Sequence, residues 1–332
     1  MKALVLKKYG KTGLIEFDSI SPPALGDNEL LLNVHAVGLN AIDCMIPKGL
    51  FKPILPLTLP AVVGSDLSGV IEAVGKNVTR FKKGDAIYAS IFDMDRGALA
   101  EYALVPEHAA ALKPQNLSFV EAASLPMVAL TSWQAFERAQ VRAGTKVFIP
   151  AGSGGIGTFA IQLAKHLGAT VATTTSLPNA SLVTGLGADL VIDYKSQDVE
   201  SVLSGYDVVL GTVRGDSIEK SLQILNSGAE VVSLVGPPDL PFARQRGMNK
   251  IMKMIFWILS RKIISQARRH KTKYSFLFVR PDGAQLSEIA TLIEGGQLKP
   301  VIDKVFPFEE SLEGLSYLEK GHAKGKVVIK LK

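Results

Sequence analysis

Three glycines at the end of a predicted strand are the residues of this chain whose spacing most clearly predicts chemistry. Gly152, Gly154 and Gly157 fit the pattern G-x-G-x-x-G, after a predicted strand that ends at Pro150 and at the start of a predicted helix. In that context the first glycine permits a sharp turn, the second lets the backbone approach a pyrophosphate, and the third lets the helix pack closely on the sheet. The free N–H groups at the start of the helix then face the phosphates. The spacing therefore predicts a dinucleotide-binding turn.

The next predicted strand ends in hydroxyl-bearing side chains. Residues 171–176 read Val-Ala-Thr-Thr-Thr-Ser, where a site selective for NAD usually carries Asp or Glu for the ribose 2′-hydroxyl. A 2′-phosphate would meet hydrogen-bond donors here and no negative charge, which favours NADP (as NADPH) over NAD. No Lys or Arg adjoins Ser176, and Lys195, just past the following strand, is the candidate cation.

The elements that hold this turn form a strand–helix alternation that begins near Phe119. Helical spacing runs from Glu121 to Arg138, and Pro126 is expected to break or kink that helix. Strands are then predicted at 146–150, 170–174, 190–193, 207–210 and 230–235, and helices at 157–167, 180–186 and 217–225. Strands at this spacing with helices between them predict a parallel, doubly wound α/β sheet of the Rossmann type.

Residues 1–120 are predicted to be rich in β-structure instead. Short runs with strand chemistry, separated by Gly, Pro, Asp and Asn, lie at 30–37, 70–74, 86–90 and 102–105. The simplest arrangement is a partly closed antiparallel barrel. Three segments are therefore predicted: a barrel domain over 1–122, a cofactor domain over 123–280 with a basic helical insertion at about 240–273, and a C-terminal segment over 281–332 that is expected to return to the barrel.

Composition restricts the compartment and the metal chemistry. The chain is 47% hydrophobic and 20% charged, and its one cysteine, Cys44, excludes a disulfide framework or a zinc site built from several thiolates. Cys44 is either modifiable near a pocket or an inert core residue. The N-terminus is predicted to be a strand without signal-peptide features, and the apolar stretch Met252–Leu259 is too short to span a bilayer. We therefore expect a cytoplasmic protein.

Several segments together resemble one family along essentially the whole chain. Residues 150–165, read as Pro-Ala-Gly-Ser-Gly-Gly-Ile-Gly-Thr-Phe-Ala-Ile-Gln-Leu-Ala-Lys, resemble the cofactor turn of medium-chain dehydrogenases/reductases, as do residues 187–194 and 321–330. The resemblance is closest to the zinc-free quinone-oxidoreductase branch, including the 2-alkenal reductases and the mitochondrial reticulon-interacting oxidoreductases. It implies a Rossmann domain that binds NADP beside a GroES-like barrel domain, and relatives of this kind are often homodimers.

The residues at the zinc positions of that family differ in this chain. Zinc-dependent relatives carry Cys in a G-x-C-x-x-D stretch and His in a Gly-His-Glu stretch, whereas Asn40 and Ser65 stand at the matching positions here. Neither an amide nor a hydroxyl is a good zinc ligand. Without a Lewis acid an alcohol is hard to polarise, so conjugated electrophiles suit the site better: quinones, or enals and enones whose β-carbon accepts hydride.

The resemblance also implies roles for individual residues. It assigns Ser153, Gly155 and Ile156 to the pyrophosphate, Ser176 and Tyr194 to the adenosine 2′-phosphate, and Leu234, Phe276 and Phe278 to the nicotinamide ribose. Candidates for contacts to the nicotinamide or the acceptor carbonyl are Asn40 and Thr131, with ordinary turn and helix polar groups as the alternative. Tyr88 is a candidate proton donor or a buried packing tyrosine, and Asp43 is expected to cap or brace its loop.

A strongly basic segment interrupts the cofactor domain. The chain carries a net charge of +6, and Arg244–Lys273 alone contains ten Lys and Arg and no Asp or Glu, so the remainder is net negative. Three interpretations are open: a substrate-pocket lid or dimer face, a surface helix on anionic lipid that gives access to a membrane quinone, or a solvated charged face over ordinary core. A nucleic-acid partner is not expected, because one basic segment in an acidic remainder is weak support for it.

Three functions are compatible with these patterns. The leading one is an NADPH-dependent reductase of quinones or α,β-unsaturated carbonyls. The second is a zinc-independent reductase of another electrophile on the same scaffold, and the third is a non-catalytic NADPH-binding sensor or interaction protein.

Overall fold

The helices and strands follow the alternation expected from the sequence. The computed structural model describes residues 1–10 and 14–332. Its strands are β1 (Lys2–Lys8), β2 (Leu14–Ser19), β3 (Glu29–Leu39), β4 (Ala61–Val62), β5 (Asp66–Val74), β6 (Ala86–Ser90), β7 (Tyr102–Pro106), β8 (Ala110–Leu112), β9 (Lys146–Ile149), β10 (Thr170–Thr175), β11 (Leu190–Asp193), β12 (Tyr206–Gly211), β13 (Leu225–Ser233), β14 (Lys273–Phe276), β15 (Ile302–Pro307) and β16 (Lys326–Lys330). Its α-helices are α1 (Ala41–Met45), α2 (Phe119–Ala123), α3 (Pro126–Arg138), α4 (Gly155–His166), α5 (Ala180–Gly185), α6 (Val199–Val202), α7 (Ser217–Ser221), α8 (Leu240–Gln245), α9 (Lys250–Arg269), α10 (Gly283–Glu294) and α11 (Ser311–Glu319).

Contacts divide the chain into two units. One contains Met1–Leu130 together with Arg280–Lys332, and the other contains Thr131–Val279. The division therefore falls inside α3 and not at residue 122. Within the described ranges 1–10 and 14–332, no helix has the length and apolar character needed to cross a membrane.

The second unit is built on a parallel sheet with the order β11-β10-β9-β12-β13-β14. Every pair in this sheet runs parallel, with α4 between β9 and β10 and α5 between β10 and β11. The chain moves outward from β9 in one direction through β10 and β11, and in the other through β12 to β14. The point at which the strand order reverses is therefore at the carboxyl ends of β9 and β12, which is where open α/β sheets bind ligands. The predicted doubly wound parallel sheet is confirmed.

The first unit is built around the long strand β3. This strand pairs antiparallel with β5, β7 and β16, and β5 continues through β6 to β8. From Glu29 to Ala36 half-buried and buried residues of β3 alternate, as expected for a strand with one face against a core, and the last residues up to Leu39 are all buried. Strand β16 places the end of the chain beside β3, with Val327 opposite Leu39.

Helices α2 and α3 occupy the region where one interrupted helix was predicted. Ser118 caps α2 in a capping box with Glu121, and α3 begins at Pro126. Proline suits the first turn of a helix, where its missing N–H has no intrahelical partner to lose. The predicted break at Pro126 is confirmed. Strand β14, which lies beside β13 at the sheet edge, was not predicted from the sequence.

Candidate active site

The glycine turn connects β9 to α4 and is anchored to the end of β10. The Ala151 N–H donates to the Thr174 hydroxyl oxygen at 3.0 Å, and the Gly152 N–H donates to the Thr174 carbonyl at 2.9 Å. Ala151 has a φ of 55°, a left-handed conformation that is uncommon for a residue with a Cβ. The main chain of the turn is thus held in a defined shape by hydrogen bonds to the side chain and the carbonyl of Thr174.

The three glycines of the motif are required for different reasons. A Cβ on Gly152 would lie 2.0 Å from the Thr173 hydroxyl oxygen, and one on Gly157 would lie 2.5 Å from the Ala151 carbonyl oxygen. These two glycines are therefore demanded by packing of the turn itself. A Cβ on Gly154 would meet only the Ala151 carbonyl oxygen, at 3.3 Å, and its φ of −80° suits any residue. The fold does not demand glycine at 154, whereas a phosphate approaching the backbone would.

The start of α4 is suited to an anion. Gly154 is the N-cap and offers no side chain to the first N–H groups of the helix, those of Gly155, Ile156 and Gly157. These groups have no carbonyl one turn earlier in the helix, and the helix dipole adds partial positive charge there. The Ser153 hydroxyl beside them accepts a hydrogen bond from the Thr175 hydroxyl at 2.9 Å. The turn and helix N-terminus together fit a pyrophosphate.

The hydroxyls at the end of β10 serve two purposes. Thr173, Thr174 and Thr175 are buried, and Thr173 donates to the Ile149 carbonyl at 2.6 Å. These three threonine side chains stabilise the turn. Ser176, the last residue of the run, is half-exposed. The sequence predicted that the hydroxyls of the whole run would face a 2′-phosphate. Because the three threonines are buried, the candidate donor is the Ser176 hydroxyl. Asn179, which the sequence reasoning missed, donates to both Ser153 and Ser176 at 3.3 Å.

Strand pairing places Ser176 beside Tyr194. Thr175 lies opposite Asp193 in the parallel β10–β11 pair, so the next residues of the two strands leave the sheet side by side. The Tyr194 side chain is 60% exposed, and Lys195 follows it at the surface. Lys195 stays the candidate cation for this pair of strand ends.

The residues assigned to the nicotinamide ribose lie at the ends of β13 and β14. Ser233 pairs with Phe276, which places Leu234 and Leu277 side by side just beyond the sheet. Phe276 and Phe278 both pack on Phe242 of α8, with ring centroids 5.0 and 5.5 Å apart from it. These two aromatic side chains are therefore held by the helical insertion.

Asp239 fixes this loop and was not found from the sequence. Its carboxylate accepts from the Phe242 N–H at 2.9 Å and from the Phe276 N–H at 3.1 Å, and the residue is almost fully buried. It therefore caps α8 and holds the end of β14 at the same time. An Asp two residues after Gly-Pro, ahead of a helix, is the capping pattern that could have revealed it.

In the first unit, Asn40 stands in a buried polar cluster. Its Nδ2 donates to Asp66 Oδ2 at 2.9 Å, and its Oδ1 accepts from the Lys326 ammonium. The Asn40 N–H donates to Asp43 Oδ2 at 2.7 Å, which braces the start of α1 as expected of Asp43. The Ser65 hydroxyl lies 3.4 Å from the other oxygen of Asp43.

Lys326 is the cation of this cluster. Its Nζ lies 3.8 Å from Asp66 Oδ2 and donates to the Leu39 carbonyl at 2.7 Å. Burial raises the pKa of Asp66 and lowers the pKa of Lys326, while their attraction opposes both shifts. Burial also raises the pKa of Asp43 to about 7. With a pKa of about 7, Asp43 is about half protonated at neutral pH, so the negative charge that it places near the Asp66–Lys326 pair changes around that pH.

The donor set at this position does not fit zinc. An amide, a hydroxyl and a carboxylate replace the thiolate and imidazole that zinc prefers, and the Lys326 ammonium supplies positive charge beside Asp66. Cys44, the one thiol of the chain, is half-buried against the core with its Sγ 3.5 Å from the Leu315 carbonyl oxygen. Burial raises its pKa to about 12, so its thiolate is scarce and the interpretation as an inert core cysteine is favoured.

The remaining candidates for contact with the reactants are buried. The Tyr88 side chain is fully buried and its hydroxyl donates to the Leu286 carbonyl at 2.6 Å, an arrangement that favours packing over proton delivery. The Asn40 amide is engaged on both its nitrogen and its oxygen, which favours a structural role in the turn. Thr131, on α3, is 4% exposed.

A largely apolar cleft opens in the first unit beside this cluster. Asp43 and Ser65 reach it from the polar side, and Gly64 borders it. The apolar part of its wall comes from Ile46, Leu55, Leu57, Phe92 and Met94. The cleft suits a largely apolar molecule with a small polar group.

Comparison with known families gives a match in each half of the chain. Residues 26–115 match the model described as alcohol dehydrogenase GroES-like domain, and residues 186–329 match the one described as zinc-binding dehydrogenase. The second description concerns the family as a whole, and the donor set of this chain departs from it. The GroES-like match agrees with the barrel predicted for the first domain.

Individual relatives cover the chain almost completely. It is 34% identical to the mitochondrial NAD(P)H oxidoreductase RTN4IP1 of Danio rerio, over 100% of this chain and 91% of that protein. It is also 34% identical to the chloroplastic NADPH-dependent alkenal/one oxidoreductase of Arabidopsis thaliana, over 99% of this chain and 79% of that protein. Among solved structures, the quinone oxidoreductase of Coxiella burnetii superposes with a TM-score of 0.86 at 30% identity, covering 100% of this chain and 99% of that one. The chain therefore belongs to the medium-chain dehydrogenase/reductase family, in its quinone oxidoreductase branch.

Proposed function

We propose that this protein is an NADPH-dependent oxidoreductase that passes hydride to quinones or to α,β-unsaturated carbonyl compounds. The observation that carries the proposal is Gly154. Neither its backbone conformation nor its protein neighbours demand glycine, and it lies at the ligand-binding edge of a parallel sheet. Relatives that share the whole fold are named for alkenal/one and quinone reduction.

The second unit supplies the residues for the cofactor. NADPH, when bound, carries the hydride that the reaction needs. The N–H groups at the start of α4 and the Ser153 side chain bind the pyrophosphate, and Ser176 with Tyr194 binds the 2′-phosphate. Lys195 lies close enough along the chain to balance that phosphate. Leu234, Phe276 and Phe278 pack against the nicotinamide ribose, supported by the aromatic contacts of Phe242.

We propose that the reaction proceeds without zinc. Lys326 and Asp66 form an internal ion pair where zinc-dependent relatives place metal ligands. Asn40 keeps this pair and the following helix in position by hydrogen bonding to Lys326, to Asp66 and to Asp43. In this assignment Asn40 is a positioning residue. Thr131 is the candidate that stays open for contact with the nicotinamide or the acceptor carbonyl.

The acceptor is proposed to enter the apolar cleft of the first unit. Its wall of Leu, Ile, Phe and Met side chains suits a flat conjugated ring or a hydrocarbon chain, and it excludes water from the reacting carbon. The polar edge at Ser65 suits the carbonyl end of such a molecule. A simple alcohol gains less from this largely apolar wall than a conjugated ring or a hydrocarbon chain does.

Acceptor turnover tests this function. NADPH oxidation is measured with 9,10-phenanthrenequinone and with a 2-alkenal, and in parallel with NADH in place of NADPH. We expect turnover with at least one acceptor and weaker binding of NADH. Turnover of only one acceptor class identifies that class as the substrate. Tight NADPH binding without turnover of either class would contradict the proposal and support a sensor, and equal affinity for NADH would contradict the cofactor assignment.

Location and assembly complete the proposal. We propose a cytoplasmic protein, which a single free cysteine permits, although the two relatives compared above are named as mitochondrial and chloroplastic. Fractionation of cells that express the untagged protein tests the location. A homodimer stays a prediction, and sedimentation velocity tests it.

A further inference from the structure

Helix α9 has one face that belongs to the core. Its first turn is capped by Asn249, whose side chain accepts from the Met252 N–H at 2.9 Å. Phe256, Ser260, Ile263 and Ala267 recur at intervals of three and four residues, and all four are buried. Ile263 and Ala267 pack in the core under the parallel sheet. The buried face is therefore complete without any further partner.

The opposite face of α9 is apolar and exposed. Ile251, Met254 and Ile258, at helical spacing, are each more than half exposed. On the flanks Leu259 is 54% and Trp257 48% exposed. Several large apolar side chains on one outward helix face form a patch that water does not favour, and such patches mark interaction sites.

Basic side chains border this apolar face. Lys250, Arg261 and Lys262 are exposed on the outward side of the helix, and the Arg261 guanidinium lies over the Trp257 ring at 5.8 Å. Lys262 also lies 3.5 Å from Glu219, a pair whose lysine is 78% exposed. The segment Arg244–Lys273, to which the helix belongs, has no acidic residue. The patch is thus a stripe of exposed apolar side chains bordered by basic residues, with Trp257 on its flank.

The exposed apolar side chains and the basic residues around them discriminate between solvent, a second copy of the chain and a lipid surface as the partner of the patch. A solvated charged face does not account for the outward Ile and Met side chains. A second copy would form an isologous contact that brings two basic segments together, each without an acidic residue of its own. An anionic lipid surface accounts for both the exposed apolar side chains and the basic residues. The apolar side chains enter the boundary between headgroups and acyl chains, while Lys and Arg remain at the phosphates.

We infer that α9 docks the protein on anionic membrane surfaces. Ile251, Met254 and Ile258 insert at the boundary between headgroups and acyl chains, and Lys250, Arg261 and Lys262 bind the headgroups. The inference does not rest on the proposed function, because lipid binding is measured without turnover.

Vesicle binding by the full-length protein tests the inference. The protein is sedimented with vesicles of phosphatidylcholine that contain about a third phosphatidylserine, and with vesicles of phosphatidylcholine alone. We expect binding to the anionic vesicles, at least about tenfold weaker binding to the neutral ones, and loss of binding as salt is raised to about 0.5 M. Equal binding to both kinds of vesicle would overturn the electrostatic part of the inference.

Matched variants separate the contribution of the apolar side chains to vesicle binding from that of the basic residues. Ile258→Glu removes the centre of the apolar stripe, and Leu312→Glu places the same change at an exposed leucine of α11 in the other unit. A triple change of Lys250, Arg261 and Lys262 to Gln removes the basic margin, and a triple change of Lys76, Lys82 and Lys83 to Gln removes equal charge elsewhere. We expect each change on α9 to weaken vesicle binding about tenfold or more and each control to leave it nearly unchanged.

Two outcomes would overturn the inference. One is that controls and α9 variants lose binding equally while all of them keep the wild-type thermal unfolding profile. The other is that the wild-type protein binds no vesicle and is a dimer by light scattering, which Ile258→Glu converts to a monomer. That second result would assign the patch to a second copy of the chain.

Discussion

At the scale of single residues, the three glycines of the turn serve different purposes, because two are required by packing and one is not. Their spacing predicts where a dinucleotide docks, but only the structure shows that Gly152 and Gly157 are required by the turn itself whereas Gly154 is not. Lys326 could not be predicted in the same way. It lies 286 residues from Asn40 in the chain, and only the pairing of β16 with β3 brings the two together. Its one trace in the sequence is a lysine at the head of a strand whose next three residues are apolar.

Substitutions of two glycines should separate binding from folding. Gly154→Ala adds a methyl group that the protein can accommodate but an approaching phosphate cannot, so we expect about tenfold or more weaker NADPH binding with little change in Tm. Gly157→Ala places a Cβ 2.5 Å from the Ala151 carbonyl oxygen, so we expect a loss of about 1–3 kcal/mol in the free energy of unfolding. Fluorescence titration and thermal unfolding without cofactor measure the two effects. Equal NADPH affinity of Gly154→Ala and wild type would refute the assigned role of Gly154.

Asp43 should make stability depend on pH. Its carboxyl ionises near 3.8 in the unfolded chain and near 7 in the folded chain, so between these values the folded state binds more protons. The contribution of this group to the free energy of unfolding is therefore full below about pH 4 and is lost as the pH rises to about 7. Asp43→Asn should flatten this slope in urea unfolding measured from pH 5 to 7. A slope that does not differ from wild type would show that Asp43 ionises normally in the folded protein.

At the scale of elements, local patterns predicted most of the structure. Pro126 marked the start of α3, and the alternation of strands and helices after Phe119 predicted the parallel sheet. The edge strand β14 was missed because it follows a long basic helix and spans only Lys273–Phe276, too short for a clear period. The role of Asp239 required the contact between α8 and the end of β14, which sequence spacing does not contain.

The return of β16 to the first unit should depend on the Lys326–Asp66 pair. Lys326→Met leaves the Asp66 carboxylate buried without its cation, and we expect this to cost about 3–5 kcal/mol in the free energy of unfolding. The double variant Lys326→Met with Asp66→Asn removes both charges and should recover a large part of that loss. Chemical unfolding of the wild type, both single variants and the double variant completes the cycle. Additive losses would show that the two charges do not interact.

At the scale of the whole molecule, the fold and the family could be predicted from the sequence, because the motifs between residues 150 and 330 all match the same family. The acceptor class was harder to predict, because the cleft proposed for it is assembled from separate segments between Asp43 and Arg96. The exposed side of α9 was likewise open to three interpretations until its buried face was located. Sequence periodicity shows that such a helix has two faces, and only packing shows which of them faces the core.

The central claim is hydride transfer from NADPH to a conjugated acceptor without zinc. It is tested most directly with NADPH deuterated at C4 of the nicotinamide and a 2-alkenal as acceptor, or 9,10-phenanthrenequinone if only quinones turn over. The protein is first dialysed against a strong zinc chelator. With the alkenal, we predict that deuterium appears at the β-carbon of the saturated product; with the quinone, we predict stoichiometric oxidation of the deuterated cofactor. In either case the rate should equal that of undialysed protein. Loss of turnover after dialysis that added zinc restores would contradict the claim.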